Sequence, residues 1–208
     1  MSASPSWSLV DADELVSQYK YTFYKTPRNL IEKVSIGEVV KLIFGFESDD
    51  PEAPAAERMW VLVDEIGQDG TFKGRLDNDP KYIQDLKAED PISFSACHII
   101  NTEHDDDDNL VERYIKRCFV TNRVLNDGMR AGYLYREEPD EEKDSGWRIT
   151  ANDESDEYMD DPNNCAYVSL GAVLTKDDSF IHLLDSPISS AFVRDNETGE
   201  FVALSSEG

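Results

Sequence analysis

Carboxylates dominate the chemistry open to this sequence, and they are densest between Glu137 and Asp161. Twelve Asp or Glu there stand against Lys143 and Arg148, a net charge of minus ten in 25 residues. Adjacent pairs such as Glu137/Glu138 and Asp160/Asp161 are the residue types that glycoside hydrolysis uses as acid and base. In a stretch this acidic they arise by abundance and single out no reaction. A second block, EHDDDD at 103–108, offers clustered oxygens for a hard cation together with His98 or His104. The calcium-loop spacing with its central Gly is absent, so the block reads as a solvated boundary loop. Cys97 beside His98 places a nucleophile next to a base, yet neighbours on a strand point to opposite faces. The three histidines, His98, His104 and His182, lie too far apart for a metal pair by spacing. His182 sits in an apolar run and is expected to be partly buried and hydrogen-bonded. No GxSxG, Walker, HExxH or GxGxxG motif occurs. The expectation is therefore a non-enzymatic protein with no catalytic residue, no metal and no cofactor.

The balance of the chain agrees with a binding role. Its 208 residues carry a net charge of −24, and 39% of them are hydrophobic. That is enough apolar material for real cores, so wholesale disorder is excluded. A field of this sign repels nucleic-acid phosphates and anionic membranes and accelerates encounter with basic partners. The plainer reading is that the charge only keeps the protein soluble. Three sparse cysteines, Cys97, Cys118 and Cys165, without a CxxC pair fit thiols in a reducing compartment. The opening MSASPSWSLVDADELV has no basic region followed by an apolar run, and no stretch reaches 18 apolar residues. A cytoplasmic location is the expectation.

The elements that must position these residues read as α+β: two small domains, each a mostly antiparallel, bent β-sheet with short helices. The first spans 1–108, with helices within 11–34 and strands between 38 and 100; the second spans 109–208. A helix capped by Asp11 or Asp13 carries Leu15, Val16, Tyr19 and Phe23 at spacings of one, three and four. Thr26 caps a second helix with Pro27 in its first turn and Leu30, Ile31 and Val34 buried. Strands follow at 39–46, 59–65, 71–76 and 92–94, with 82–86 as a single helical turn between the last two. In the second domain a strand at 118–120 leads into a short helix capped by Thr121 and ended by Gly128, a hairpin being the competing reading. Then come a strand at 133–135, an acidic turn and a strand at 147–149. After these come a helical turn at 154–159, a strand at 166–170, and strands around 191–194 and 201–202. Trp147, beside Gly146, is either a core anchor or an exposed contact residue.

Residues 118–194, through CFVTNRVL, AGYLYREEPDEEKDSGWRITANDESDEYMDDPNN and LLDSPISSAFVRD, resemble the bacterial immunity protein thirty-three family of polymorphic toxin systems. Residues 36–100, through GEVVKLIFGFE, ERMWVLV, GRLDNDPKYIQDLKAED and ISFSACHI, resemble a second uncharacterised bacterial domain, domain of unknown function twenty-three fourteen. The resemblance implies a protein that neutralises a toxin, and it brings no catalytic residue. Asp144, Trp147, Arg148, Asp153, Glu154, Tyr158, Asp160 and Asp161 match recurrent positions of the first family.

The resulting expectation is an immunity-type inhibitor that occludes a basic, nucleic-acid-binding surface on a toxin domain. Its partner-binding residues would be Glu137, Glu138, Asp140, Asp144, Trp147, Asp153, Glu154, Asp156, Glu157, Tyr158, Asp160 and Asp161. A housekeeping or regulatory interaction module with a non-toxin partner is the alternative, and an enzyme with an unrecognised site is the third reading.

Overall fold

Alternation of apolar and polar residues builds most of the protein. In a computed structural model of the chain, residues 5–48 and 50–204 are described. They divide into two units. The first runs up to Tyr19 and from Phe23 to Asn109; the second comprises Lys20–Thr22 and the chain from Leu110 onward.

The first unit is an antiparallel meander of β1 (Trp7–Leu9), β2 (Val39–Phe46), β3 (Ala56–Ile66), β4 (Thr71–Leu76) and β5 (Pro91–Ser95). From β5 a single 3-10 turn, Ala96–His98, leads into β6 (Ile99–Asn101), which pairs with β2. Since β3 already occupies one edge of β2, β6 must lie along the other, and the sheet curls back on its own long strand. Side chains two apart face inward: Val40, Leu42 and Phe44 on β2, Met59, Val61 and Val63 on β3, Phe72 on β4, Ile92 and Phe94 on β5. Phe72 and Phe94 sit opposite each other in register and stack with centroids 5.3 Å apart.

Helix α1 (Ala12–Gln18) is capped by Asp11, whose carboxylate accepts from the Asp13 N–H, and ends before Phe23 is reached. Helix α2 (Arg28–Ile31) has Pro27 rather than Thr26 at its cap; the Thr26 N–H donates to the Ile100 carbonyl, and its buried hydroxyl has no hydrogen-bond partner among the described residues. Residues 82–86 form bends and turns, not a helical turn; Ile83 and Leu86 are buried there while Glu57 accepts the backbone N–H groups of Lys81, Tyr82 and Ile83. Cys97 and His98 lie on the 3-10 turn rather than on a strand. The His98 Nδ1 accepts the Ser95 N–H, so that lone pair caps the turn instead of facing Cys97 as a base.

The second unit holds β7 (Arg117–Thr121), β8 (Tyr133–Arg136), β9 (Asp144–Thr150), β10 (Cys165–Ser169), β11 (Ala191–Arg194) and β12 (Phe201–Ala203). Their order is β10-β7-β9-β8-β11-β12, antiparallel except for the central β7–β9 pair, which is parallel. Its helices are α3 (Leu110–Arg113), α4 (Asn122–Leu125), α5 (Asp156–Met159) and α6 (Leu170–Leu174). The crossover between the parallel strands uses α4, as the helical reading required, and β8; the acidic turn is then the β8–β9 hairpin loop. Cys118, Val120, Leu134, Trp147, Ile149 and Phe192 face one side of the sheet and pack with Val124, Val173, Leu174 and Phe180. Tyr21 joins that core and donates its hydroxyl to Asp178 at 2.8 Å.

One backbone approach in the first unit leaves no room for a side chain. A Cβ on Gly74 would stand 2.2 Å from the Leu62 carbonyl oxygen across the β3–β4 pair. Backbone cannot yield as a flexible side chain does, so Gly74→Ala is expected to cost about 1–3 kcal/mol. A urea midpoint unchanged from the wild type would contradict this packing.

Candidate functional site

The acidic hairpin loop is built around one buried cation. Arg148 points to the side of the sheet away from the core, and its residue is only 8% exposed. Its guanidinium grips Asp144 with two parallel bonds, Nη1 to Oδ1 at 3.1 Å and Nη2 to Oδ2 at 2.9 Å. Nε donates to Glu137 at 3.0 Å, Nη2 reaches Asp140 at 3.3 Å, and Nη1 donates to the Trp147 carbonyl at 3.2 Å. The ring of Phe119, its neighbour in register on β7, lies 4.9 Å from the guanidinium carbon.

Asp144 is 1% exposed and has further partners, accepting from the N–H of Gly146 at 2.9 Å and of Asp140 at 3.1 Å. Burial pushes its carboxyl up. The Arg148 guanidinium and the two backbone donors outweigh that and hold it at about 2. Gly146 has φ +80°, and a Cβ there would meet the Glu137 carbonyl oxygen at 2.2 Å, so only glycine lets the loop close over Arg148.

Two residues expected to touch a partner are thereby withdrawn from the surface. Trp147 is 1% exposed, with its indole N–H donating to the Leu184 carbonyl at 3.3 Å, and is the core anchor. Asp144 is the counter-ion of Arg148. Glu137 and Asp140 remain exposed but divide their charge with the same cation.

The second acidic segment is also partly structural. Asp153 pairs with Arg123 through Nε at 3.3 Å and Nη2 at 2.5 Å. Glu154 accepts from the Thr121 hydroxyl, the Ala151 N–H and the Asp153 N–H, tying the loop back to β7. Asp161 caps the 3-10 turn Pro162–Asn164, and half-buried Tyr158 exchanges bonds with Asn164. Glu138, Glu142, Asp156, Glu157 and Asp160 are exposed and form no side-chain hydrogen bond or ion pair among the described residues. His182 is exposed as well, because the 3-10 turn Ile181–Leu183 directs its neighbours inward.

Between the two acidic segments lies a row that sequence reading passed over. The register aligns Tyr167, Phe119, Arg148, Tyr135 and Ala191 across five adjacent strands. Phe119 and Tyr167 stack at 4.8 Å, Tyr133 and Tyr135 at 5.4 Å. The buried residues of α4 and α6 all lie on the other face of the sheet, and Phe119 keeps 38% of its surface. Tyr167 donates to Glu141 at 2.9 Å; burial and that bond push its phenol up to about 12, so it remains a donor. The signal was the alternation itself: tyrosines at 133 and 135 flank the inward Leu134, and Phe119 lies between the inward Cys118 and Val120. The face is aromatic at its centre and acidic at both ends. Among the described residues no group of three His, Cys, Asp or Glu is placed to hold a metal ion.

A second buried ion pair escaped notice for want of any local signature. Arg194 donates from Nη2 to Asp177 at 2.8 Å and to the Ser179 hydroxyl at 2.8 Å, and from Nε to the Ala131 carbonyl at 2.6 Å. It lies on the core side, its guanidinium carbon 4.3 Å from the Phe201 ring centroid.

Removing Arg148 strands a buried carboxylate. Arg148→Met is expected to lose about 3–5 kcal/mol, part of it recovered in the double variant with Asp144→Asn. A double-variant loss equal to the sum of the two single losses, read by chemical denaturation, would show that the two residues are not coupled. Asp144 also gives the protein an acid limit. Its pKa is about 2 when folded against an ordinary 3.8, so the unfolded chain binds more protons between those values. The stabilisation, roughly 2 kcal/mol, is present above pH 4 and lost as pH falls from about 4 through 2. In Asp144→Asn that segment of the stability–pH curve is expected to flatten.

Two family models match the chain. The model described as an uncharacterized protein conserved in bacteria (DUF2314) covers residues 4–134, and the Immunity protein Imm33 domain covers residues 118–205. No curated protein and no solved structure matches. Both resemblances read from the sequence hold, and the two matches share β7, α4 and the start of β8. The Imm33 match contains the Arg148 cage, the aromatic row and both acidic segments. By the extent of the first match, the chain belongs to the DUF2314 family of proteins conserved in bacteria, and its second unit carries the match to the Imm33 domain.

Proposed function

We propose that the protein is a non-enzymatic immunity protein that neutralises a bacterial toxin by covering a basic surface on it. The match to the Imm33 domain over residues 118–205 carries this reading, and the outer face of the same region supports it. Well-packed interfaces join an aromatic or arginine centre to a polar rim. Phe119, Tyr135 and Tyr167 supply the centre, with Arg148 held rigid beneath it by three carboxylates. The unpaired acids Glu138, Glu142, Asp156, Glu157 and Asp160 supply the rim, and they would meet the Lys and Arg side chains with which a nuclease grips phosphate. The net charge of −24 would speed encounter, and the aromatic row would slow release. The longer family match carries no function in its description, which keeps open an interaction module with a non-toxin partner.

The test starts from the tagged protein recovered from its host with whatever it binds. The bound protein, identified by mass spectrometry, is expected to be basic and toxic when expressed alone, with growth restored on co-expression. A bound protein that is harmless on its own would favour the interaction module. Affinity is expected to fall as salt rises and to drop about tenfold or more when Phe119 and Tyr135 are both changed to Ser. A complex indifferent to salt, to those changes and to charge reversal of the five rim acids would remove this surface from the account.

A further inference from the structure

Cations gather in a cleft of the second unit, on the core side of the sheet where β7 and β9 begin. The cleft encloses about 520 Å³, and its lining includes Arg113, Lys116 and Arg136 against one carboxylate, Asp185. Its apolar walls are Tyr114, Trp147, Leu170 and Leu184. Arg136 and Lys116 on one concave surface run against the net charge of −24 that the chain carries.

Arg136 makes the contrast specific. The guanidinium groups of Arg148 and Arg194 are both neutralised by carboxylates. Arg136 has no carboxylate within ion-pair distance among the described residues. Its Nε donates to the Ser145 carbonyl at 3.2 Å and Nη1 to the Ser186 carbonyl at 2.5 Å, while Nη2 has no acceptor among the described residues. The two carbonyls hold the fork in place, and the guanidinium carbon lies 5.7 Å from the centre of the Trp147 ring. A planar donor fixed beside an apolar floor matches the planar, two-oxygen geometry of a carboxylate. The volume falls within the range of small-ligand sites, and apolar walls with a few convergent polar groups are their usual make-up.

We propose that this cleft binds a carboxylate attached to an apolar group, with Arg136 as the fork, Lys116 as a supporting charge, and Tyr114, Leu170 and Leu184 as the apolar seat. A free aryl or alkyl carboxylate and the C-terminus of a protein chain ending in an apolar residue present the same chemistry. The site stands on observations separate from the outer face and does not depend on the toxin-neutralising reading.

The indole N–H of Trp147, bonded to the Leu184 carbonyl between two lining residues, is the reporter. Its proton–nitrogen resonance is followed in the full-length protein, assigned through Trp147→Phe, while probes are added to millimolar concentration. N-acetylphenylalanine is expected to shift it saturably, N-acetylphenylalaninamide and inorganic phosphate not. A hexapeptide ending in Phe with a free carboxylate separates the sources: tighter binding than N-acetylphenylalanine points to a protein C-terminus, equal binding to a small carboxylate. Arg136→Gln is expected to weaken binding about tenfold or more, as loss of a charged hydrogen bond does. Lys116→Gln, an exposed change that leaves the folding contacts intact, is expected to weaken it about twofold to fivefold. No saturable shift with either carboxylate, or an equal response to the amide or to phosphate, would overturn the proposal.

Discussion

A guanidinium held out of water in the second sheet sets the terms for the chemistry around it. Arg148 cannot shed its proton, so burying it requires compensating charge and a full set of acceptors. The β8–β9 loop supplies both, with Asp144 gripped at two points and Glu137 and Asp140 closing from the sides. The loop is acidic because it encloses a cation, and Gly146 is required because the loop passes against its own backbone. What reads in sequence as an acidic partner-binding turn holds a folded counter-ion cage.

That cage divides the acidic residues into two populations. Asp144, Asp153, Glu154 and Asp161 hold neighbouring groups in place and are fixed in orientation. Glu138, Glu142, Asp156, Glu157 and Asp160 project into solvent and act through the field they create. Of the fixed group, Asp144 holds the Arg148 guanidinium against the Phe119 ring at the centre of the aromatic row. The exposed group contributes to the negative field of the chain. The same unit gathers Lys116 and Arg136 in a cleft on the core side of the sheet.

Much of the fold was legible in the sequence. The strand at 39–46 follows from its run of β-branched and aromatic residues, the strand at 71–76 from the Asp69-Gly70 turn before it, and the Asp11 cap from local chemistry. Helix α4 follows Thr121, but the Thr121 hydroxyl donates to Glu154 instead of capping it, and the helix ends at Leu125 rather than running to Gly128. Where local rules failed, a distant partner had decided the matter. Thr26 lies one residue outside the cap of α2 with its N–H held by the Ile100 carbonyl, and the chain entering 82–86 is held by Glu57, which accepts the N–H groups of Lys81, Tyr82 and Ile83. At the site, composition marked the right stretch but could not sort it. Nothing in the order of residues says that Asp144 faces Arg148 while Asp156 faces water, since that depends on which strand lies alongside. The parallel β7–β9 pair, which brings Phe119 over Arg148, is a tertiary fact with no local signature. Trp147 read as either core or contact, and the bond to the Leu184 carbonyl resolves it as core.

The measurement that bears most directly on this account is a backbone hydrogen-exchange footprint of the protein with the partner captured from its host. The expected result is added protection along β7, β8 and β10 and in the loops bearing the unpaired acids, centred on Phe119, Tyr135 and Tyr167. Protection confined to the first unit, or absent from these three strands, would contradict the placement of the binding surface on the outer face of the second sheet.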